Sequence, residues 1–294
     1  GTDGPDTIEG AGSDDTLAGG PGDDTIDGGP GRDTASYSGA SRSYTVTLSA
    51  DGVRVSDRRA DGDGRDSLSD IEVLAFDDGN WEPAAFDAVA SLSESDFRTF
   101  VEMYIAHFDR APDAEGLAFW GTAFARGVTL EEVAADWLTQ PEVRAAFPDG
   151  MDNAAFAETV YGNVLGRTPD RAGLDFWVGL LETGAVGRDT FILDVLNGAR
   201  APAPEGASQA FMDQKAEDMA YLSAKTHIGI HYAVTRGLSD VDRAADAMAL
   251  FDGSEASVAA AKAAIDGFYA DALDPVSGEF LIQVVGIPDD PFGS

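Results

Sequence analysis

The chain contains no cysteine, which excludes a disulfide framework and any thiolate metal site. Its three histidines are too few for a His-rich zinc centre. Basic residues are scarce: Lys and Arg number 19 against 53 Asp and Glu, a formal net charge of −34 over 294 residues. Nucleic acids and anionic membrane surfaces both need a basic face, so neither is an expected partner. No apolar run approaches the roughly 18 residues of a membrane span. There is no G-x-S-x-G and no H-E-x-x-H, and the Gly-rich stretch alternates with Asp, which is wrong for cradling phosphate. Residue 1 is not Met and no signal peptide is visible, which points to a fragment or to export without an N-terminal signal.

What is present is 44% hydrophobic residues, enough for a core and, by length, for one or two domains. A charge this negative either stays solvated or is neutralised by bound cations, and the placement of the acids decides which. Residues 1–36 divide into nine-residue blocks, GTDGPDTIE, GAGSDDTLA, GGPGDDTID and GGPGRDTAS. The sixth position is Asp6, Asp15, Asp24 and Asp33; the seventh is always Thr; the eighth is Ile8, Leu17, Ile26 and Ala35. The fourth position is Gly or Ser: Gly4, Ser13, Gly22 and Gly31. Glycines permit turns with positive φ and free main-chain carbonyls to point inward. The apolar eighth position starts a short strand that stacks on its neighbour. With two blocks per coil, turns on one edge lie two repeats apart, pairing Asp6 with Asp24 and Asp15 with Asp33.

Carboxylate and carbonyl oxygens at such spacing suit Ca²⁺ rather than zinc. The expected ligands are the side chains of Asp6, Asp15, Asp24 and Asp33 with the backbone of Gly4, Gly12, Gly19, Gly20, Gly22, Asp23, Gly29 and Gly31. Several ions are expected. Without them the stacked carboxylates repel, so the roll should be unfolded where calcium is scarce and fold where binding free energy becomes folding free energy. Ala35 is a weak core residue, which places the end of the roll there, and nothing before residue 1 caps it, as if upstream repeats were missing.

Residues 37–83 read as a β cap. Tyr44 to Leu48 and Gly52 to Asp57 alternate as strands around the turn Ser49-Ala50-Asp51-Gly52. Gly64 to Leu68 repeats the G-x-D-x-apolar logic. Asp61, Asp63 and Asp66 either hold a further calcium or form a solvated acidic loop. On this reading Asp24, an interior rung, matters more to folding than Asp66.

From about residue 84 the period is helical. Phe97, Phe100, Val101, Tyr104, Ile105 and Phe108 make one stripe; Gly127 closes a second helix; Thr129 and Glu132 form a capping box; Pro141 opens a fourth helix and Asp152 a fifth, ending near Gly166. A second internal repeat matches Phe108–Trp120 (FDRAPDAEGLAFW) to Leu165–Trp177 (LGRTPDRAGLDFW). Pro fixes the turn, Asp113 and Asp170 cap the next helix at Gly116 and Gly173, and Leu, Phe and Trp fill the core. Arg110 and Arg167 either pair with those aspartates in a structural corner or, with Asp113 and Asp170, meet a ligand. Residues 198–207 read as a linker. Beyond it lie a long helix over 208–236, helices at Asp240–Phe251 and Ser254–Leu273, and a strand-like run with an acidic tail. His227 and His231 are spaced to hold a metal but have no acidic third ligand at helical reach, which favours a packed pair. Trp81, Trp120, Trp137 and Trp177 could stack on sugar rings, with core packing favoured for the two in the motif.

The fold class expected is multidomain: a short parallel β-roll with a β cap, then a larger all-α domain over 84–207, with the 208–294 helices and tail packed on it. Residues 1–36 resemble the repeats-in-toxin (RTX) hemolysin-type calcium-binding repeat, which implies type I secretion through an uncleaved C-terminal signal. Residues of roughly 95–270 resemble domain-of-unknown-function family 4214, whose hallmark is R-x-P-D-x-x-G-L-x-F/Y-W. That motif is similar to one in phycobilisome linker proteins and in the helical N-terminal domain of S-layer proteins that anchors to lipopolysaccharide. The resemblances imply a secreted or bacterial cell-surface protein whose partner is a cell-envelope glycan or surface protein, with the type I machinery as partner during export. Two other readings stay open, the tail of a secreted hydrolase and a protein scaffold. The chain itself is expected not to be an enzyme.

Overall fold

A computed structural model describes residues 1–285 of the chain. Four short strands, β1 Thr7–Glu9, β2 Thr16–Leu17, β3 Thr25–Asp27 and β4 Thr34–Ser36, wind as a parallel roll. The register is the expected one of two repeats per coil: Thr7 pairs with Thr25, Ile8 with Ile26, and Thr16 with Thr34. Glycine and aspartate between the strands turn the chain through about half a coil each time, so the Thr-apolar pair returns to the same sheet every second repeat.

The roll does not end at Ala35, which is fully buried. A hairpin, β5 Tyr44–Ser49 and β6 Gly52–Asp57, interrupts the winding, and then β7 Arg65–Ser69 and β8 Val73–Phe76 resume it. β7 pairs in parallel with β3, Ile26 meeting Leu68, and β8 pairs in parallel with β4, Ala35 meeting Leu74. The small Ala35 is tolerated because Leu74 and Tyr37 fill the layer beside it. The expected cap over 37–83 is therefore two things: an inserted hairpin, and a third coil built from 61–76. A last antiparallel strand, β9 Gly79–Trp81, leads into the helices.

The helices are α1 Glu94–Phe108, α2 Ala114–Ala125, α3 Leu130–Trp137, α4 Pro141–Ala146, α5 Asn153–Leu165, α6 Arg171–Thr183, α7 Arg188–Arg200, α8 Gln209–Ile230, α9 Val241–Ala249 and α10 Glu255–Ala272. Their ends follow the sequence signals. Ser93, Asp113, Thr129, Asp152, Asp170, Ser208, Asp240 and Ser254 each accept a backbone N–H at an N-cap. The Thr129–Glu132 capping box forms. α7 runs to Arg200, which shortens the expected 198–207 linker, and α8 passes into a π-helical turn at His231–Thr235 before Gly237, at φ 68°, stops it.

The final described strand, β10 Leu281–Val284, touches the helical region, where the Ile282 N–H donates to the Gly237 carbonyl at 3.2 Å, and also joins the sheet. It adds to β5 in parallel, Ile282 opposite Val46. The six-stranded sheet thus runs β1-β3-β7-β6-β5-β10, joining both ends of the described chain. Phe280 packs edge-on against Phe76 and Trp81, and the buried apolar residues form one cluster from Ile26 to Val284. The acidic tail and the candidate secretion signal beyond 285 lie outside the described residues. Among the described residues no helix is long and apolar enough to cross a membrane.

Candidate metal centre

Stacking the coils stacks the sixth-position aspartates. On one edge the N–H of Asp6 donates to Asp24 Oδ1 at 2.8 Å, and the N–H of Asp24 donates to Asp66 Oδ1 at 3.1 Å. On the other, the N–H of Asp15 donates to Asp33 Oδ1 at 2.7 Å, and the N–H of Asp33 donates to Glu72 Oε2 at 2.6 Å. Two columns result, Asp6–Asp24–Asp66 and Asp15–Asp33–Glu72. Position-five aspartates support them, with Asp14 accepting from the Arg32 N–H and Asp23 from the Arg65 N–H.

One oxygen of each interior carboxylate is spoken for by the ladder, and the other is not. Oδ2 of Asp24 and Oδ2 of Asp33 are buried with no hydrogen-bond partner, in residues 2% and 0% exposed. An unpaired buried carboxylate oxygen is costly. The outer rungs differ: Asp6 Oδ2 accepts from the Thr2 amide and hydroxyl, which holds its carboxyl below the usual range, and Asp15 Oδ2 accepts from the Ala11 N–H at 3.1 Å. At the inner end burial pushes the Asp66 carboxyl up to about 7; the Asp24 and Asp63 charges add to the rise, and the Asp24 amide opposes it.

Main-chain carbonyls crowd the same spaces. A Cβ on Gly1 would lie 2.0 Å from the Gly19 carbonyl oxygen and 2.6 Å from Asp6 Oδ2; a Cβ on Gly10 would lie 2.2 Å from the Gly28 oxygen and 3.2 Å from Asp15 Oδ2. At the fourth position, a Cβ on Gly22 would lie 2.8 Å from the Gly4 oxygen, and one on Gly31 2.5 Å from the Ser13 oxygen. Carboxylate and carbonyl oxygens therefore face one another with no side chain between them. Among the described residues no three carboxylates or imidazoles gather as a metal cluster. A ligand set here must mix acids with carbonyls, which is the set of hard oxygens that Ca²⁺ takes.

The expected ligands fall into place unevenly. Asp6, Asp15, Asp24 and Asp33 form the columns, and the Gly4, Gly19 and Gly22 carbonyls lie within them, with Gly20 and Gly29 in left-handed turns at φ 86° and 76°. Gly12 corresponds to no carbonyl in these contacts, and its own Cβ position is open, as is that of Gly4; Gly31 serves by the space it leaves and Asp23 by its side chain. The Ser13, Gly28 and Asp70 carbonyls and the Glu72 carboxylate, none of them among the expected ligands, lie in the same spaces. For Ser13 and Gly28 the periodicity was signal enough, since they are simply positions four and one. For Glu72 no nonapeptide exists to reveal it.

Asp61, Asp63 and Asp66 do not converge. Asp63 accepts from the Ser38 amide and hydroxyl and from the Tyr44 hydroxyl at 2.6 Å, Asp66 belongs to the first column, and Asp61 is exposed. Asp66, 1% exposed, is as buried as Asp24, but it ends the column in which Asp24 is the middle rung.

The two motif copies diverge. Both aspartates cap as expected, onto the Gly116 and Gly173 amides at 2.7 Å. Arg110 is buried, forked on Glu142 and beside Asp113 at 3.3 Å, under Phe108. Arg167 is forked on Asp218 of α8 at 2.6 Å and stays partly exposed. Gly116 is needed, because a Cβ would meet the Tyr104 hydroxyl at 2.4 Å; at Gly173 the nearest atom would be 3.4 Å away. The second copy consequently borders an open cleft of about 670 Å³, lined by Tyr161, Arg167, Asp170, Trp177, Phe211 and Lys215 among others. The motif's Trp120 and Trp177 pack against the core as expected, though only partly buried, whereas Trp81 and Trp137 are buried. His231 bonds Asp266 at 2.8 Å, and with His227 it gathers no metal cluster among the described residues.

Residues 134–199 match the family model of the domain of unknown function DUF4214, a span that includes the second motif copy and leaves the first outside. No curated protein and no solved structure matches the chain. Neither family match is to a catalytic family. Residues 1–35 match the RTX calcium-binding nonapeptide repeat in four copies, so the stacked aspartates and carbonyls are those of a calcium-binding roll that holds several ions.

Proposed function

We propose that this chain is a non-catalytic, calcium-folded module of a protein secreted by a type I route, and that its helical region holds a cell-envelope glycan. The observation that carries the calcium half is the pair of buried, unpartnered oxygens, Asp24 Oδ2 and Asp33 Oδ2, set among main-chain carbonyls. When bound, the ion supplies the positive charge that lets the columns close. The chain's own residues do the rest. The ladder N–H groups fix one oxygen of each acid, and the glycines keep the carbonyl approach clear. The sheet carries the ordered roll into β5 and β10.

The glycan half is supported by the cleft at the second motif copy. Trp177, held by the bond from its Nε1 to the Tyr161 hydroxyl at 2.7 Å, and the exposed Phe211 offer apolar faces. Arg167, Asp170, Lys215 and Asp218 supply polar groups whose formal charges cancel. Apolar faces with a few fixed polar groups are what a sugar ring needs. The test is retention of the purified chain on cell-envelope polysaccharide, in millimolar calcium and in chelator. Retention with calcium alone supports an anchoring or adhesion module. Passage through the column in both conditions refutes the glycan half and leaves a scaffold or the tail of a secreted hydrolase.

A further inference from the structure

The second column ends in a turn that no nonapeptide spells. Between β3 and β4 the turn has six residues, 28–33; between β7 and β8 it has three, 70–72. The strands nevertheless stay in register, Thr34 opposite Val73 and Ala35 opposite Leu74. The shortened turn reaches the column by a longer side chain: Glu72 carries one more methylene than Asp, and its Oε2 accepts from the Asp33 N–H at 2.6 Å. The Asp33 carbonyl in turn accepts from the N–H groups of Glu72 and Val73, both at 3.0 Å. Glu72 thus occupies the rung that a sixth-position Asp fills elsewhere.

Two oxygens meet there, beside the Glu72 carboxylate that accepts from the Asp33 N–H. Asp33 is fully buried and its Oδ2 has no partner. A Cβ on Gly28 would lie 2.0 Å from the Asp70 carbonyl oxygen and 2.8 Å from Asp33 Oδ2. Those two oxygens are therefore no more than about 4.8 Å apart, within the span that one Ca²⁺ bridges at its usual 2.3–2.6 Å per ligand. Asp70 sits in the left-handed region at φ 48°, a conformation uncommon for a residue with a Cβ.

We propose that Asp33, the Asp70 carbonyl and Glu72 form a further calcium site, completed by two residues outside the matched repeats. The proposal rests on calcium binding by the roll of residues 1–35. An ion there fastens the third coil, and with it the sheet that receives β10, to the roll.

The experiment is calcium titration of the full chain by calorimetry, with circular dichroism in calcium and in chelator. Glu72→Gln keeps the shape and the acceptor oxygen but loses the charge; it should bind one ion fewer than the wild type and lose melting temperature in calcium alone. Asp70→Gly keeps the carbonyl and should keep the ion count. A wild-type count for Glu72→Gln overturns the proposal, and so does an ion lost by Asp70→Gly. Should Glu72→Gln fail to fold, Glu72→Asp decides: the shorter side chain should weaken one ion at least tenfold, and unchanged affinities overturn the site. A wild-type chain that binds no calcium would instead sink the reading of the roll itself.

Discussion

Asp24→Asn separates what calcium contributes from what packing contributes. Asn is isosteric and keeps Oδ1, so the bond from the Asp6 N–H survives. What changes is Oδ2, which is buried and unpartnered. In chelator the wild type carries that unpaired charged oxygen, a cost of about 1–3 kcal/mol, next to the buried Asp66. The variant should therefore be as stable as the wild type or more so, by on the order of 1 kcal/mol. In calcium the sign reverses. For an extracellular-type site with Kd of about 10⁻⁴–10⁻³ M, roughly 10 mM calcium contributes about 1.4–2.7 kcal/mol per ion. Asp24 lies between two coils of its column, so up to two ions lose a ligand, a loss of roughly 3–5 kcal/mol at most. Thermal melts followed by circular dichroism, with calcium and with chelator, read both signs. An equal loss in the two conditions, or a calcium-induced rise in melting temperature equal to the wild type's, would refute the reasoning.

Three further outcomes follow from particular contacts. Gly28→Ala should prevent the roll from closing, since its Cβ would lie 2.0 Å from the Asp70 oxygen, whereas Gly12→Ala meets nothing within 4 Å and should change the calcium-dependent melt little; comparable losses would contradict this. His107 is fully buried, with Nδ1 on the Met103 carbonyl at 2.8 Å and Nε2 unpartnered; burial holds its pKa at about 4, below the ordinary 6.5. The unfolded chain takes up this proton first, so the group costs stability as pH falls from 6.5 towards about 4, at up to about 1.4 kcal/mol per pH unit; denaturant melts of His107→Leu against wild type should show a flatter acid limb. Asp113→Ala should cost more than Asp170→Ala. Both lose an N-cap worth about 1 kcal/mol, but only Asp113 also neighbours a buried arginine, Arg110; chemical denaturation that ranks them equal would rule this out.

Much of the chain was legible because its signals are local. The nine-residue phase sets the coil and puts Asp6 over Asp24, since a parallel roll with two repeats per turn has no other register. Helix ends were legible for the same reason: Thr129 with Glu132, and Asp170 with Gly173, bond within three residues. Residues that meet across long loops were not. Glu72 joins Asp33 across a separation of 39 positions and in a turn of a different length, so no period announces it. The two motif copies are nearly alike in sequence, yet Arg110 is sealed under Glu142 while Arg167 borders a cleft, because α3 and α4 cover the first copy and α8 only partly covers the second.

By itself, then, the sequence determined the roll, its calcium chemistry and the helical caps, since each depends on residues close in the chain or on a strict repeat. The tertiary structure decided that the roll resumes after its hairpin, that β10 closes the sheet beside β5, and which carbonyls face which carboxylates. Those outcomes depend on side chains and backbone brought together over long separations, where the shared burial of Ile26, Leu68, Leu74 and Leu281 sets the pairing.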